Sequence, residues 1–254
     1  MQDSFLGFPR PDGGAGTRNY LGVFIAGNCA ATAARLVADW FTPRRLAAWP
    51  HVDGGLAFVH EVGWGMEKTG EPMDLLRRTL GGSIRHPNLA GAVVLALGCE
   101  RNNIYGFLEQ EGLVANERLA TVVLQEVGGT AKAVEQGVAP LQAMLPAANA
   151  FRRERLPVSQ LCLGLQVQAE GSGGVGEAAL GQAVDRLVGQ GGTVLLSHTR
   201  ATAPALQPRA AHAGVAAQLG QRIHWWQHYT AGRAMRVAVA ATLASGTAPL
   251  QEVV

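Results

Sequence analysis

The chain has little cysteine, little charge and few aromatic residues. Cys29, Cys99 and Cys162 are the only three cysteines in 254 residues. An odd, scattered set with no CxxC spacing excludes a disulfide framework and a zinc knuckle, and it fits a reducing cytoplasm. Charged residues make up 16% and the formal net charge is +2, which gives no electrostatic basis for binding nucleic acid or an anionic membrane surface. No uninterrupted apolar run reaches the length of a membrane span. Met1 to Arg10 lacks the apolar core of a signal peptide. The expected compartment is therefore the cytoplasm, with no nucleic-acid or membrane partner. What the chain does have is aliphatic residues and glycine. Hydrophobic residues account for 48% and there are 33 glycines, enough for a sizeable core joined by tight turns.

Apolar runs alternate with helix-period segments. Tyr20 to Ala26, Val52 to Val59, Ala92 to Leu97 and Leu119 to Leu124 read as buried strands. Between and after them, Ala30 to Phe41, Pro72 to Ile84 and Thr130 to Leu145 read as helices, the last ended by Pro146. The polar stretch Asn149 to Pro157 predicts a linker. A second unit follows, with strands Leu161 to Val167 and Thr193 to Ser197 flanking the helix Glu177 to Val188. Further helices are predicted over Ala203 to Leu219 and Arg222 to Ala231. Strand–helix alternation implies parallel pairing. The expected fold is α/β: two layered, Rossmann-like units with mostly parallel sheets, over residues 1–150 and 151–254.

Chemistry-bearing residues gather at predicted strand ends. His60 follows the second strand, and Cys99-Glu100 follows the third. Open α/β sheets place their sites beyond such carboxyl ends. Each residue also has a structural reading: a histidine satisfied by backbone, a small buried thiol, a carboxylate needing a partner. Thr17-Arg18-Asn19 precedes the first strand and Arg85-His86-Pro87-Asn88 the third. Arginine there suits carboxylate binding, while His-Pro-Asn equally suits a turn. Gly171-Ser172-Gly173-Gly174-Val175-Gly176 matches GxGxxG, so an NAD(P)-binding enzyme is one alternative, although no acidic residue ends the next strand. His224 and His228 share a helical face without an evident third ligand.

The order of these tracts resembles the altronate/galactarate dehydratase family. The resemblance is carried by Phe8 through Tyr20 (FPRPDGGAGTRNY), Asn28-Cys29-Ala30-Ala31-Thr32, Val52-Asp53-Gly54, His60, Arg85 through Gly91, and Leu97-Gly98-Cys99-Glu100. It continues through Leu180 to Val188, Gly191-Gly192-Thr193, Arg222 to Trp226 and Gly246 to Leu250. There are departures. Val167 to Ser172 stands where the family has Cys-Gly-Gly-Ser-Asp-Gly, Trp64 stands where a cysteine is usual, and Ala231 to Met235 replaces a Pro-Ser-Pro-Gly-Asn-like stretch. The small amino-terminal domain and the far carboxy-terminal region of longer members are not expected here.

The resemblance implies removal of water from an aldonate or aldarate, such as altronate or galactarate, to give a 2-keto-3-deoxy acid. It implies a divalent metal, iron in particular. Under it, His60, Cys99 and Glu100 become the expected catalytic residues and metal ligands. Thr17, Arg18, Asn19, Asn28, Arg85 and His86 become the expected substrate-binding set. The alternative it leaves is an impaired member that binds a sugar acid or completes a partner subunit. A homo-oligomer or a complementing chain is the expected protein partner.

Overall fold

The computed structural model describes residues 3–166, 175–197 and 210–231. They divide into two units: Leu6–Leu156, and Asp3–Phe5 with the described residues from Pro157 onward.

The first unit begins with a short antiparallel pair, β1 (Ser4–Pro9) and β2 (Ala15–Gly16), in which Phe8 faces Gly16. Then come β3 (Tyr20–Ile25), α1 (Ala31–Trp40), β4 (Gly54–Phe58), α2 (Glu71–Ile84) and β5 (Leu89–Ala96). α3 (Ile104–Gln110), β6 (Leu119–Val123), α4 (Leu124–Val127) and α5 (Thr130–Ala150) complete its core. Four strands form one all-parallel sheet in the order β4-β3-β5-β6. The chain steps from β3 out to β4, then crosses back past β3 to β5. That reversal between β3 and β5 is a topological switch point, where connecting segments leave in opposite directions and a crevice opens.

Both sheet faces are covered, which is why β5 is a continuous apolar run with every residue buried. Side chains alternate across a strand. Leu21, Val23, Ile25, Val93 and Leu95 pack on one face with Val37 of α1 and Leu141 of α5. Phe24, Val94 and Ala96 pack on the other with Leu80 of α2 and Phe107 of α3. Phe24 also stacks on Phe58 across the β3–β4 register, with ring centroids 4.4 Å apart. Each fully buried aliphatic or aromatic side chain of this kind contributes about 1.5–3 kcal/mol from apolar burial.

Two expectations fail here. Helix α5 does not stop at Pro146 but runs through both Pro140 and Pro146 to Ala150. An internal proline removes a backbone hydrogen bond and costs about 3 kcal/mol. The last turns are held regardless, because Leu141, Met144, Leu145 and Ala148 are buried. The Asn19 side chain also donates to the Ala148 carbonyl at 2.9 Å, and His51 N–H donates to Asn149 at 2.9 Å. The stretch expected as a linker contains a strand, β7 (Glu154–Pro157), which joins β1 and β2 in the order β2-β1-β7.

In the second unit β8 (Cys162–Gln166) and β9 (Thr193–Ser197) pair in parallel around α6 (Val175–Gly189). One continuous helix, α7 (Ala213–Thr230), runs through Gly220 where a break between two helices was expected. Residues 203–209 of the expected earlier helix lie outside the described residues. The architecture is α/β with mostly parallel sheets, as the alternation of elements implies.

Candidate active site

All four strands of the larger sheet point the same way, so the segments that follow them share one edge. After β3 comes a 3-10 turn, Asn28–Ala30; after β4 comes His60; after β5 comes Gly98 to Asn103. Gly98 has φ 117°, and a side chain there would strike Gln125. The turn it permits folds Glu100 back on its own strand end. The Glu100 carboxylate is 6% exposed and accepts from Leu97 N–H at 2.9 Å and Gly98 N–H at 2.6 Å. The partner that a buried carboxylate requires is therefore backbone.

Asn102 is fully buried and ties three segments together. Its Nδ2 donates to the Ala26 carbonyl at 2.9 Å, its Oδ1 accepts from Arg77 Nε at 3.0 Å, and its N–H donates to the Gly63 carbonyl at 2.9 Å. Asn103 caps α3, accepting from the N–H groups of Tyr105 and Gly106. His60 sits on the same edge with Nε2 3.0 Å from the Ile25 carbonyl and Nδ1 3.4 Å from Val62 N–H. One tautomer satisfies both contacts: Nε2 carries the proton and Nδ1 accepts. Asn28 N–H donates to the Val62 carbonyl, which stitches the His60–Gly63 segment to the end of β3.

A cleft of about 760 Å³ opens at this edge. Cys99, Glu100, Arg101 and Asn103 line it from the β5 side, Trp64 to Lys68 from the β4 side, and Arg77 from α2. Its cations are Lys68, Arg77 and Arg101; of its carboxylates, Glu100 is committed to backbone and Glu67 is exposed. The Cys99 thiol is exposed, with Gln125 Nε2 at 3.6 Å. Of the expected catalytic residues, Cys99 and Glu100 line the cleft, while His60, like the expected substrate residue Asn28, shares the edge without lining it. The sequence does not single out Arg77 or Lys68, and although Arg101 and Asn102 stand in the stretch Gly98 to Asn103 that follows the third strand, it assigns them no role. The available signals were the Arg77-Arg78 pair on a helix with an otherwise apolar face, and an Asn-Asn step just before an apolar helix start.

The remaining expected substrate residues lie elsewhere. Thr17, Arg18 and Asn19 precede β3, and Arg85 and His86 precede β5, so all five occupy the amino edge. An eight-residue strand such as β5 is roughly 25 Å long. The two sets therefore cannot share one small ligand. At the amino edge Asn88 Oδ1 accepts from Thr17 N–H at 2.7 Å and Arg18 N–H at 3.1 Å. Asn19, fully buried, accepts from Arg10 and donates to the His51 and Ala148 carbonyls. These are bonds that lock loops and a helix end.

Among the described residues, no three His, Cys, Asp or Glu side chains are grouped to hold a metal ion. The lone pairs of His60 and Glu100 already face backbone N–H groups. This donor set does not fit a divalent metal. His224 and His228 are exposed on α7 and join no such group. Gly171 to Gly174 of the GxGxxG match lie outside the described residues, and Val175-Gly176 opens α6.

Comparison with known proteins identifies the unit that carries the cleft. The family model for D-galactarate dehydratase/Altronate hydrolase, second domain, matches residues 7–149, almost the whole of the unit Leu6–Leu156. Altronate dehydratase of Bacillus subtilis (strain 168) is 31% identical over 196 residues, covering 76% of this chain and 38% of that protein. Altronate dehydratase of Escherichia coli (strain K12) is 28% identical over 192 residues, with shares of 75% and 38%. Galactarate dehydratase (L-threo-forming) of E. coli (strain K12) is 29% identical over 237 residues, with shares of 89% and 45%. The chain spans less than half the length of these relatives. Because the family model covers more than half of the chain, and covers the unit built around the switch point, the protein belongs to the D-galactarate dehydratase/altronate hydrolase family and carries its second domain.

Proposed function

We propose that the chain is a sugar-acid hydro-lyase, or the part of one, that holds an aldonate or aldarate in the switch-point cleft. One observation carries this reading. Lys68, Arg77 and Arg101 converge on a cleft at the carboxyl edge of a parallel sheet, in a unit that belongs to a dehydratase family. A polyhydroxy mono- or dicarboxylate is the ligand whose charge and hydrogen-bonding groups match that lining.

Dehydration needs removal of the proton α to a carboxylate, stabilisation of the enediolate, and a proton for the departing hydroxyl. Arg77 is held by Asn102 through Nε and by Gln110 through Nη1, which leaves Nη2 for a substrate carboxylate. Such fixed cations also stabilise the charge that spreads onto that carboxylate when the proton leaves. Glu67 and the Cys99 thiol are the proton-exchanging groups of the wall not committed to backbone. In this reading Glu67 takes the proton and Cys99 supplies one to the leaving hydroxyl. His60 acts as a positioning residue, binding the end of β3 to the loop that carries Trp64 to Lys68.

The test is formation of 2-keto-3-deoxy acid from galactarate and altronate by the purified chain, with and without added divalent metal, beside Arg77→Gln and Cys99→Ala. Turnover that falls at least tenfold in both variants supports the reading. Equal turnover in all three proteins overturns these assignments. A second reading, a sugar-acid-binding partner subunit, is favoured by the Glu100 carboxylate and the His60 ring being committed to backbone groups. It predicts galactarate binding without turnover under any metal.

A further inference from the structure

The amino edge of the same sheet has its own cavity, of about 370 Å³, beside the starts of β5 and β6. Its polar lining is Arg10, Asp12, Arg85, His86, Asn116 and Arg118. Cations dominate, and the lining carboxylate, Asp12, accepts from Gly14 N–H in its own turn.

Arg10 is the unusual member. It is 6% exposed and forms no ion pair among the described residues. Nε donates to the Pro87 carbonyl at 2.7 Å, and Nη2 donates to Arg18 and Asn19, but the buried Nη1 has no partner. Phe151 and Phe8 offer ring faces at 4.4 and 5.7 Å, a partial compensation for the charge. Burial and the neighbouring Arg118 push the Arg10 pKa down to about 10. The Asp12 carboxylate offsets this only in part and is not within ion-pair distance, so the buried cation is a costly arrangement that a bound anion relieves.

The neighbours keep donors available. Arg118 uses Nε on the Ala90 carbonyl at 3.1 Å, and its terminal nitrogens have no partner among the described residues. His86 Nδ1 accepts from Asn88 N–H at 3.1 Å, which leaves Nε2 as the donor of the neutral ring. Arg85 Nη2 donates to the Glu111 carbonyl, while Nη1 stands 4.0 Å from the Glu111 carboxylate, a weak pairing that leaves Nη1 for a ligand.

We propose that this cavity is a second ligand site, one that takes a small oxyanion, carboxylate or phosphate, through Arg118, His86 and Arg85 against the buried charge of Arg10. It lies at the opposite edge of the sheet from the sugar-acid cleft, and it stands whether or not that cleft catalyses dehydration.

The test is calorimetric titration of the full chain at low ionic strength with inorganic phosphate and, separately, with succinate. Wild type is compared with Arg118→Gln, an exposed position whose change spares the core, and with the cleft variant Arg77→Gln. The expected result is millimolar or tighter binding of at least one anion, weakened at least tenfold by Arg118→Gln and unchanged by Arg77→Gln. Loss of one charge-assisted hydrogen bond is enough for a tenfold effect. Whichever anion binds identifies the headgroup as phosphate or carboxylate. Absence of binding by both anions overturns the proposal, as does equal binding by wild type and Arg118→Gln. Loss of binding in Arg77→Gln would assign the anion to the cleft instead, which also overturns it. Equal unfolding midpoints for the unliganded proteins confirm that the comparison reads binding.

Discussion

Asn102→Ala removes the side chain on which the cleft is built, and its cost follows from the bonds lost. The Nδ2 bond to Ala26 is neutral and buried, and a bond of that kind contributes about 0.5–1.5 kcal/mol. The bond from Arg77 Nε involves a charge and contributes about 1.5–3 kcal/mol, with the low end appropriate for a half-buried guanidinium. Water reaches Arg77 after the change but does not reach the Ala26 carbonyl beneath it. The expected destabilisation is about 2–3 kcal/mol. Urea unfolding followed by circular dichroism measures it, as a lower midpoint at unchanged slope. Because Arg77 loses its anchor, the variant also binds galactarate several-fold more weakly. A destabilisation below about 0.5 kcal/mol would refute the reasoning, since the buried carbonyl would then have found another donor.

Gly63→Ala places a Cβ 2.5 Å from the Ala26 carbonyl oxygen, at a residue with φ 95°. Strain of that kind costs about 1–3 kcal/mol, visible as a lower thermal midpoint, and displacement of the loop should weaken galactarate binding in the same variant. Glu100→Gln leaves an amide facing two backbone N–H groups and satisfies only one, for an expected loss of about 1.5–3 kcal/mol in urea unfolding. Burial lowers the His86 pKa below its ordinary 6.5. The folded chain therefore resists protonation there. Its contribution to stability is complete above pH 6.5 and declines as pH falls from there toward the folded value. Unfolding midpoints measured across this range should show a shallower acid decline in His86→Asn than in wild type.

Much of the fold is legible in local sequence. The Ala92–Leu97 run is apolar at every position because β5 is buried on both faces, and Tyr20–Ile25 carries the same signal. The position of Cys99 and Glu100 beyond a strand end is legible for the same reason. The destination of their lone pairs is not, because it depends on a turn at Gly98 that aims a carboxylate at its own backbone. His60 is similar: its bond to Ile25 joins residues 35 apart in sequence. The division between the two edges was latent in the strand reading. In a parallel sheet, residues before strands and residues after strands occupy opposite edges, so Arg18 and Arg85 are separated from Cys99 by the length of a strand. Helix α5 misled in the other direction. Pro146 signals a stop, but the bonds to Asn19 and His51 that carry the helix past it come from distant segments.

The most direct measurement is a crystal structure of the chain soaked with galactarate. The predicted density lies in the cleft at the carboxyl edge, with a carboxylate within hydrogen-bonding distance of Arg77 and the carbon chain running between Lys68 and Cys99. Density for galactarate at the amino edge beside Arg85 and Arg118, with the cleft empty, would contradict the account.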